Sequence, residues 1–543
     1  MFKSALILKL TVILMIPVFS LYCRKGVVLT PVPAVNVHEL VAQGDSFFEK
    51  QHLHGWMQAE SIYGKAFDQE RPDDLKDKLL LTRFLILTRE IDEDISDPAM
   101  ERSFAQLCSD NPSTRQKVLC DLAATYRNGS GTHASDPVTF NRGVFDVNGS
   151  AVDAYIWTLY AHSHGITEDN ETAGARAEKF RDSPLFIYLY LGKKTVRKAD
   201  ELEQSYPDFA ELLDFLGGVQ FQRTKYGAAR TCFSRTVNLI PRYTRSLNGL
   251  GNIYLFALED YSKAREYFLR SLELNPDNSA ALYGAALVFH HLAKYAESNG
   301  YLDRMLASDL SRGGHNSDDS VRYYQGEANY YKAYNYYLLG DRDKARQFVD
   351  ASRKLLPRSD HVNYLSGLLY FDVGQHKPAR EDFLRVLAGG SGNCDAQYYL
   401  GRIYRQSNDP FDERRPEETS GANIPGKLAD YLIGVPLPNE TPEERSLNYF
   451  LGACSCMENN VLGMEGQVKA VPAMDLEAAD KLLLQGRLLE KLAGYRRTCD
   501  SLIDGMIRMV SPDGTAKSQG YAQLMKEVQV RLTGAHGSTA PVQ

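Results

Sequence analysis

Apolar residues along this chain recur at i, i+3 and i+4 and seldom alternate, which predicts amphipathic helices. The pattern is clear at Asp73–Ile91, Ala99–Leu107, Thr114–Tyr126 and Ala151–His162. Loops rich in Gly, Asn and Ser, such as Asn128–Ser135 and Asp146–Ser150, separate these stretches. From Glu211 onward a longer period is laid over the helical one. Leu216-Gly217, Ala229, Phe233 and Pro241 reappear as Leu250-Gly251, Ala264, Phe268 and Pro276, with the two prolines 35 residues apart. The skeleton continues through Ala286, Ser298 and Leu302, then Ala333, Ala345, Val349 and Pro357, then Gly367, Ala379 and Phe383, and reopens at Leu400-Gly401. Small residues at the first two places let helices approach closely, large apolar residues fill the contact, and the proline ends the second helix.

This unit resembles the tetratricopeptide repeat, a helical hairpin of about 34 residues. The resemblance implies an all-α fold, a right-handed solenoid of stacked antiparallel helix pairs whose concave wall binds other molecules. Gly44, Trp56, Ala59, Tyr63 and Ala66 look like a divergent first repeat, and Leu483, Gly486, Leu489, Tyr495 and Leu502 like a weak seventh. The expected organisation is a signal peptide at 1–22, a tether at 23–36, divergent helical repeats at 37–205 and the regular array at 206–405. A Pro-rich insertion at 406–442 follows, then helical repeats and a cap at 443–532 and a tail at 533–543. Pro410, Pro416, Pro425, Pro436, Pro438 and Pro442 forbid helix in the insertion. A shorter polar insertion is expected at Ser311–Ser320.

In this family the fifth, ninth and twelfth residues of each first helix line the concave wall. The fifth positions here are Asp214, Asn248, Tyr283, Tyr330, Tyr364 and Tyr398. The ninth are Gly218, Asn252, Leu287, Tyr334, Leu368 and Arg402, and the twelfth Phe221, Leu255, His290, Tyr337, Phe371 and Arg405. The resemblance thus implies a wall running from polar through aromatic to basic. Its expected partner-binding residues are Tyr283, Tyr330, Tyr334, Tyr337, Tyr364, Phe371, Tyr398, Arg402 and Arg405. They would form an aromatic trough for a protein segment, ending on arginines suited to a carboxylate. The competing reading is that these tyrosines pack between neighbouring helices. Asn248 and Asn252 alone do not make the chaperone-type carboxylate clamp of some relatives.

At the N-terminus, Lys3 precedes a short apolar run, Leu10–Leu21, and then Cys23. The run is too short for a spanning helix, which needs about 20 residues. It resembles a bacterial lipoprotein signal in which Cys23 becomes the lipidated first residue, although Tyr22 stands where that pattern wants a small residue. The expectation is an exported protein, periplasmic or on the outer-membrane face, lipid-anchored through Cys23. Plain cleavage and an uncleaved anchor are the alternatives.

Charge and chemistry narrow the function further. A net charge of −7 without a basic run gives no footprint for nucleic acid. Eight cysteines are scattered: Cys232 reads as core, Cys108 and Cys120 could pair between two helices, and Cys454 and Cys456 read as packing. The His pairs, His52/His54, His162/His164 and His290-His291, lack the i, i+4 spacing of a helical metal site. Neither Gly129–Thr132 nor Gly389–Gly392 has the context of a phosphate loop. No catalytic, metal or cofactor site is expected. The sequence points to a protein–protein interaction scaffold at the bacterial cell envelope. Its layout also resembles periplasmic lipoproteins of this repeat type that associate with TRAP-type transporters, so a ligand-binding subunit of a transport system is the alternative, with a surface adhesin beside it.

Overall fold

The computed structural model describes residues 36–93, 95, 97–110, 112–128, 145–164, 166, 169–192, 199–308, 318–389, 393–406, 449, 453, 456 and 460–509. The signal, the tether before residue 36, Cys23, the Pro-rich insertion after residue 406, Cys454 and the tail lie outside them. Among the described residues there is no strand. The N-terminal part consists of α1 (Val37–Phe48), α2 (Leu53–Gln69), α3 (Asp73–Asp92), α4 (Pro98–Ser109), α5 (Thr114–Asn128), α6 (Ala151–Ser163), α7 (Asn170–Lys179), α8 (Pro184–Leu189) and α9 (Ala199–Ser205). The regular pairs follow as α10 (Ala210–Gln222) with α11 (Tyr226–Leu239), α12 (Thr244–Asn252) with α13 (Tyr261–Leu274) and α14 (Ser279–His291) with α15 (Tyr295–Ala307). They continue as α16 (Asp318–Leu338) with α17 (Arg342–Leu355) and α18 (Asp360–Asp372) with α19 (His376–Ala388), after which α20 (Cys394–Gln406) opens a sixth. The last described helix is α21 (Ala478–Met509). Each hairpin packs on the next, giving stacked TPR-like pairs.

The recurring residues have a direct packing role. A Cβ added to Gly251 or Gly284 would meet the Phe268 ring at 2.7 and 2.3 Å. Phe268 is therefore clamped between the small residue of its own first helix and a glycine of the next one. Phe233 sits in the same way between Gly217 and Gly249. The turn inside each pair also repeats: Thr224, Glu259, Ala293, Gly340 and Gly374 all have φ between 51° and 84°. Gln51 has the same conformation in the α1–α2 turn, which supports reading that pair as a divergent repeat.

The one-residue excess in the second repeat has a location. Residues Ile253–Ala257 form a π turn continuing α12, so the extra residue is absorbed inside the helix and not in a loop. Counting back from the turn, Phe256 and not Leu255 takes the twelfth place. Phe256 is exposed, whereas Leu255 is buried.

The N-terminal helices join the array through a buried polar network. Arg89, fully buried on α3, pairs with Glu211 of α10 at 3.1 Å, and Tyr188 covers its guanidinium. Glu90 pairs with Arg242. Glu93 receives hydrogen bonds from the Tyr188 and Tyr243 hydroxyls and pairs with Arg245 at 2.7 Å. Burial raises the Glu90 carboxyl to about 8, opposed by Arg242, and raises Asp214 to about 6, opposed by Arg245.

Three expectations are corrected. Asp318–Ser320, assigned to the polar insertion, are the first turn of α16. The weak seventh repeat, expected as a helix pair, is one continuous 32-residue helix, α21, with no turn within it. Cys456 does not merely pack: it is bonded to Cys394 across 62 residues of sequence. Cys108 and Cys120 are paired between α4 and α5, and Cys232 is buried with a free thiol.

Candidate functional site

The aromatic residues of α14, α16, α18 and α20 form one continuous wall. Tyr283 on α14 meets Tyr324 and Tyr331 of α16 edge-on, at 6.0 and 6.1 Å between ring centres. Tyr334 lies 5.2 Å from His290 and 6.0 Å from Tyr330. On α18, Tyr364 and Phe371 reach Tyr399 of α20 at 6.4 and 5.1 Å. Tyr330, Tyr334, Tyr337, Tyr364 and Phe371 are each half-buried, partly packed and partly open. The rings touch neighbouring helices, and each keeps an open edge.

Burial is the main cause that raises the Tyr334 and Tyr337 hydroxyls, with Tyr295 and Asp395 adding to the first and Asp372 to the second. Burial, and then the neighbouring carboxylates and phenols, raises the hydroxyls of Tyr283, Tyr330 and Tyr364, so all three stay protonated donors.

The polar groups around the rings are mostly matched. Glu327 accepts from the Tyr283 hydroxyl at 3.4 Å and from His361 Nε2 at 2.8 Å. Asp372 pairs with Arg342 at 2.9 Å, and the same guanidinium lies 4.1 Å from the Tyr337 ring centre. Buried Asn335 donates to Ser298 and Asn299, so its oxygen accepts from His290 Nδ1 at 2.6 Å. That bond sets the His290 tautomer, and burial lowers its pKa, so the ring is neutral. Arg402 does not stand free at the end of the wall. Its guanidinium packs over Phe371 at 4.7 Å and over Tyr398 and Tyr399 at 5.8 Å. The side chain of Arg405 lies outside the described residues.

Other expected inward positions are core. Leu287 and Leu368 are buried, and so are Asp214 and Asn248, which bond to Ser246 and Asn278. Sequence reasoning missed Tyr399, whose ring meets both Tyr364 and Phe371. A signal was present: Tyr399 directly follows the fifth-position Tyr398 in the sequence. It also missed the C-terminal clasp. Asp475 accepts from Ala228 N at 3.0 Å at the start of α11 and fits only because Gly227 has no side chain. Asp480 of α21 pairs with Arg230, while Arg487 and Lys491 reach Leu258 and Glu259 in the next pair's turn. The chain thus leaves the sixth repeat at Cys456 and is fastened again at the first. Among the described residues no group of His, Cys, Asp and Glu is arranged to hold a metal ion. No described helix is long and apolar enough to cross a membrane.

These features define a fold of stacked helical repeats. Residues 253–313 match the family model described as Tetratricopeptide repeat. The chain is 22% identical over 190 residues to anaphase-promoting complex subunit 3 of Schizosaccharomyces pombe, covering 35% of this chain and 26% of that protein. It is 25% identical over 135 residues to a TPR repeat-containing protein of Methanocaldococcus jannaschii, covering 24% and 23%. The matches thus span about a quarter of each curated relative. Among solved structures, a tetratricopeptide repeat protein from Parabacteroides merdae is similar at 16% identity and a TM-score of 0.33, over 59% of this chain and 98% of that one. Tetratricopeptide repeat proteins generally mediate protein–protein interactions.

Proposed function

We propose that this protein is an exported scaffold that captures a segment of a partner protein in the trough of Tyr330, Tyr334, Tyr337 and Tyr364. The observation that carries the reading is the run of half-buried rings spanning α14 to α20, each with an open edge and rigid neighbours. Tyrosines held in this way lose little side-chain freedom on binding, which is why they recur at binding hot spots. Tyr334→Ala should retain helical content and weaken partner recovery by about 1–3 kcal/mol. Cell crosslinking and mass spectrometry of wild type and variant test this. Loss of the fold would make Tyr334 core, and unchanged recovery would move the interaction elsewhere.

Export is part of the same proposal. Cys108–Cys120 and Cys394–Cys456 are disulfides of the kind that persist in oxidising compartments. The apolar run before Cys23 supplies the route and the site of lipid attachment. Cys23→Ala should release the chain into the soluble fraction. Unchanged membrane association of that variant would rule out the lipid as the main anchor.

A further inference from the structure

We propose that the edge of the array formed by its intra-pair turns is a docking surface for a later segment of this chain, Tyr521–Leu532, which lies as a helix across the third and fourth turns against Leu292 and Leu339.

The turns inside the pairs are built alike. After each left-handed residue the next backbone N–H bonds back into the first helix: Lys225 to Gln220, Asp260 to Tyr254, Lys294 to Phe289, Asp341 to Tyr336 and Gln375 to Tyr370, all at 2.7–2.9 Å. Stacking sets the residues just before the left-handed ones in a row along one edge: Arg223, Leu258, Leu292, Leu339 and Val373. The C-terminal clasp already sits on the start of this row. Arg487 Nη1 donates to the Leu258 carbonyl at 2.5 Å, its guanidinium lies 5.7 Å from the Tyr261 ring centre, and Lys491 pairs with Glu259. Cover thins in the direction the clasp travels, with Asp475 and Asp480 fixed at the first pair and Arg487 and Lys491 at the second. Leu258 is fully buried and Leu292 half-buried, whereas Leu339 and its neighbour Leu338 are 52% and 42% exposed. A lone exposed leucine is ordinary, but adjacent ones continuing a row that is elsewhere covered mark a docking surface.

The sequence beyond α21 supplies an occupant. Tyr521, Leu524, Met525, Val528 and Leu532 fall at i, i+3, i+4, i+7 and i+11, one apolar face of a helix, with Gln523, Lys526 and Glu527 on the other side. Such a helix is about 17 Å long, which reaches two turns about 10 Å apart and leaves Val373, at the fifth, uncovered. The connection also reaches. About 27 Å of helix separates Lys491, at the second turn, from Met509, and the linker 510–520 can extend to about 36 Å. Tethered in this way, the segment is held near the edge at roughly millimolar effective concentration, so burial of a few side chains suffices to seat it. A second copy of the chain would need a much larger interface. Seated here, the segment ties the third pair to the fourth, whose first helices α14 and α16 carry Tyr283 and Tyr334.

A benzophenone amino acid in place of Leu339 tests this in the full chain, with light and isotope-labelled chains mixed and the adducts mapped by mass spectrometry. The expected adduct joins residue 339 to 521–532 within one chain. Val528→Asp puts a charge on the apolar face of the segment and should cut the yield about fivefold. It should also speed hydrogen exchange at the turn 339–341 and leave the turn 223–225, held by Asp475, unchanged. Val530→Asp, on the opposite side of the same helical pattern, should change neither. An adduct joining light to heavy chains would give the edge to a second copy and overturn the inference. An adduct elsewhere in the chain, no adduct, or an unchanged yield in Val528→Asp would overturn it as well.

Discussion

At the residue scale, the repeat's small positions are set by close contact and not by helix propensity, and the two effects can be separated. Gly284→Ala gains roughly 1 kcal/mol of helix propensity. It also drives a methyl to 2.3 Å from a Phe268 ring that is clamped on both sides. Overpacking of this kind costs about 1–3 kcal/mol, so the net change should be destabilising. Gly300→Ala lies inside α15 with nothing within 4 Å of the new atom, so it should stabilise by about 0.5–1 kcal/mol. Chemical denaturation of both variants checks the pair; equal effects would mean the clamp is slack. The Gly/Ala/Phe skeleton was readable in the sequence because it recurs. Arg89 was not, since a lone Arg in an amphipathic helix normally faces water, and its partner Glu211 is 122 residues away. Glu90 has a further consequence. Its carboxyl holds a proton to about pH 8 in the folded protein against an ordinary value of 4.5. Between those values the folded state binds a proton that the unfolded chain has released. Stability from this site therefore falls as pH rises from about 4.5 through 8. Glu90→Gln should flatten that part of the stability–pH curve, and thermal melts across pH would show a parallel curve if Glu90 is ionised throughout.

At the element scale, the helix pairs from α10 to α19 were legible because period, proline and small-residue spacing all agree. The π turn was half legible. The 35-residue spacing announced an extra residue, but nothing local said that a helix would absorb it, so the inward position was placed at Leu255 and not at Phe256. The role of α21 was hidden for a different reason. Its repeat-like Leu and Gly spacing is also that of a long amphipathic helix, and its docking partners lie more than two hundred residues earlier. The carboxylate of Asp475 caps the start of α11, where a negative charge is favoured, and Arg230 is matched by Asp480 and Glu477. Ending the chain after Met474 should leave the helix pairs formed but unclamped. Hydrogen exchange should then speed up at the turns 223–225 and 258–260, with little change at the α18–α19 turn. Unchanged exchange at all three would mean that α21 rests on the array without supporting it.

At the scale of the whole molecule, the array is held at both ends by contacts that repeat periodicity cannot encode. The buried Arg89, Glu90 and Glu93 network fixes the N-terminal helices to α10 and α12, while Cys394–Cys456 and the Asp475 clasp return the chain from the sixth repeat to the first. Between these fastenings the inner wall keeps its rings in place and presents their edges. The aromatic stripe was legible as a list of positions. Its chemistry was not, because that depends on Arg402 stacking over its neighbours. The most direct test of the central claim is site-specific photocrosslinking in cells, with a benzophenone amino acid at Tyr334 and, as a control, at Gln347 on the second helix of the same pair. A discrete partner adduct at position 334 and none at 347 is the predicted result. Adducts at 347 with none at 334 would contradict the trough as the binding surface.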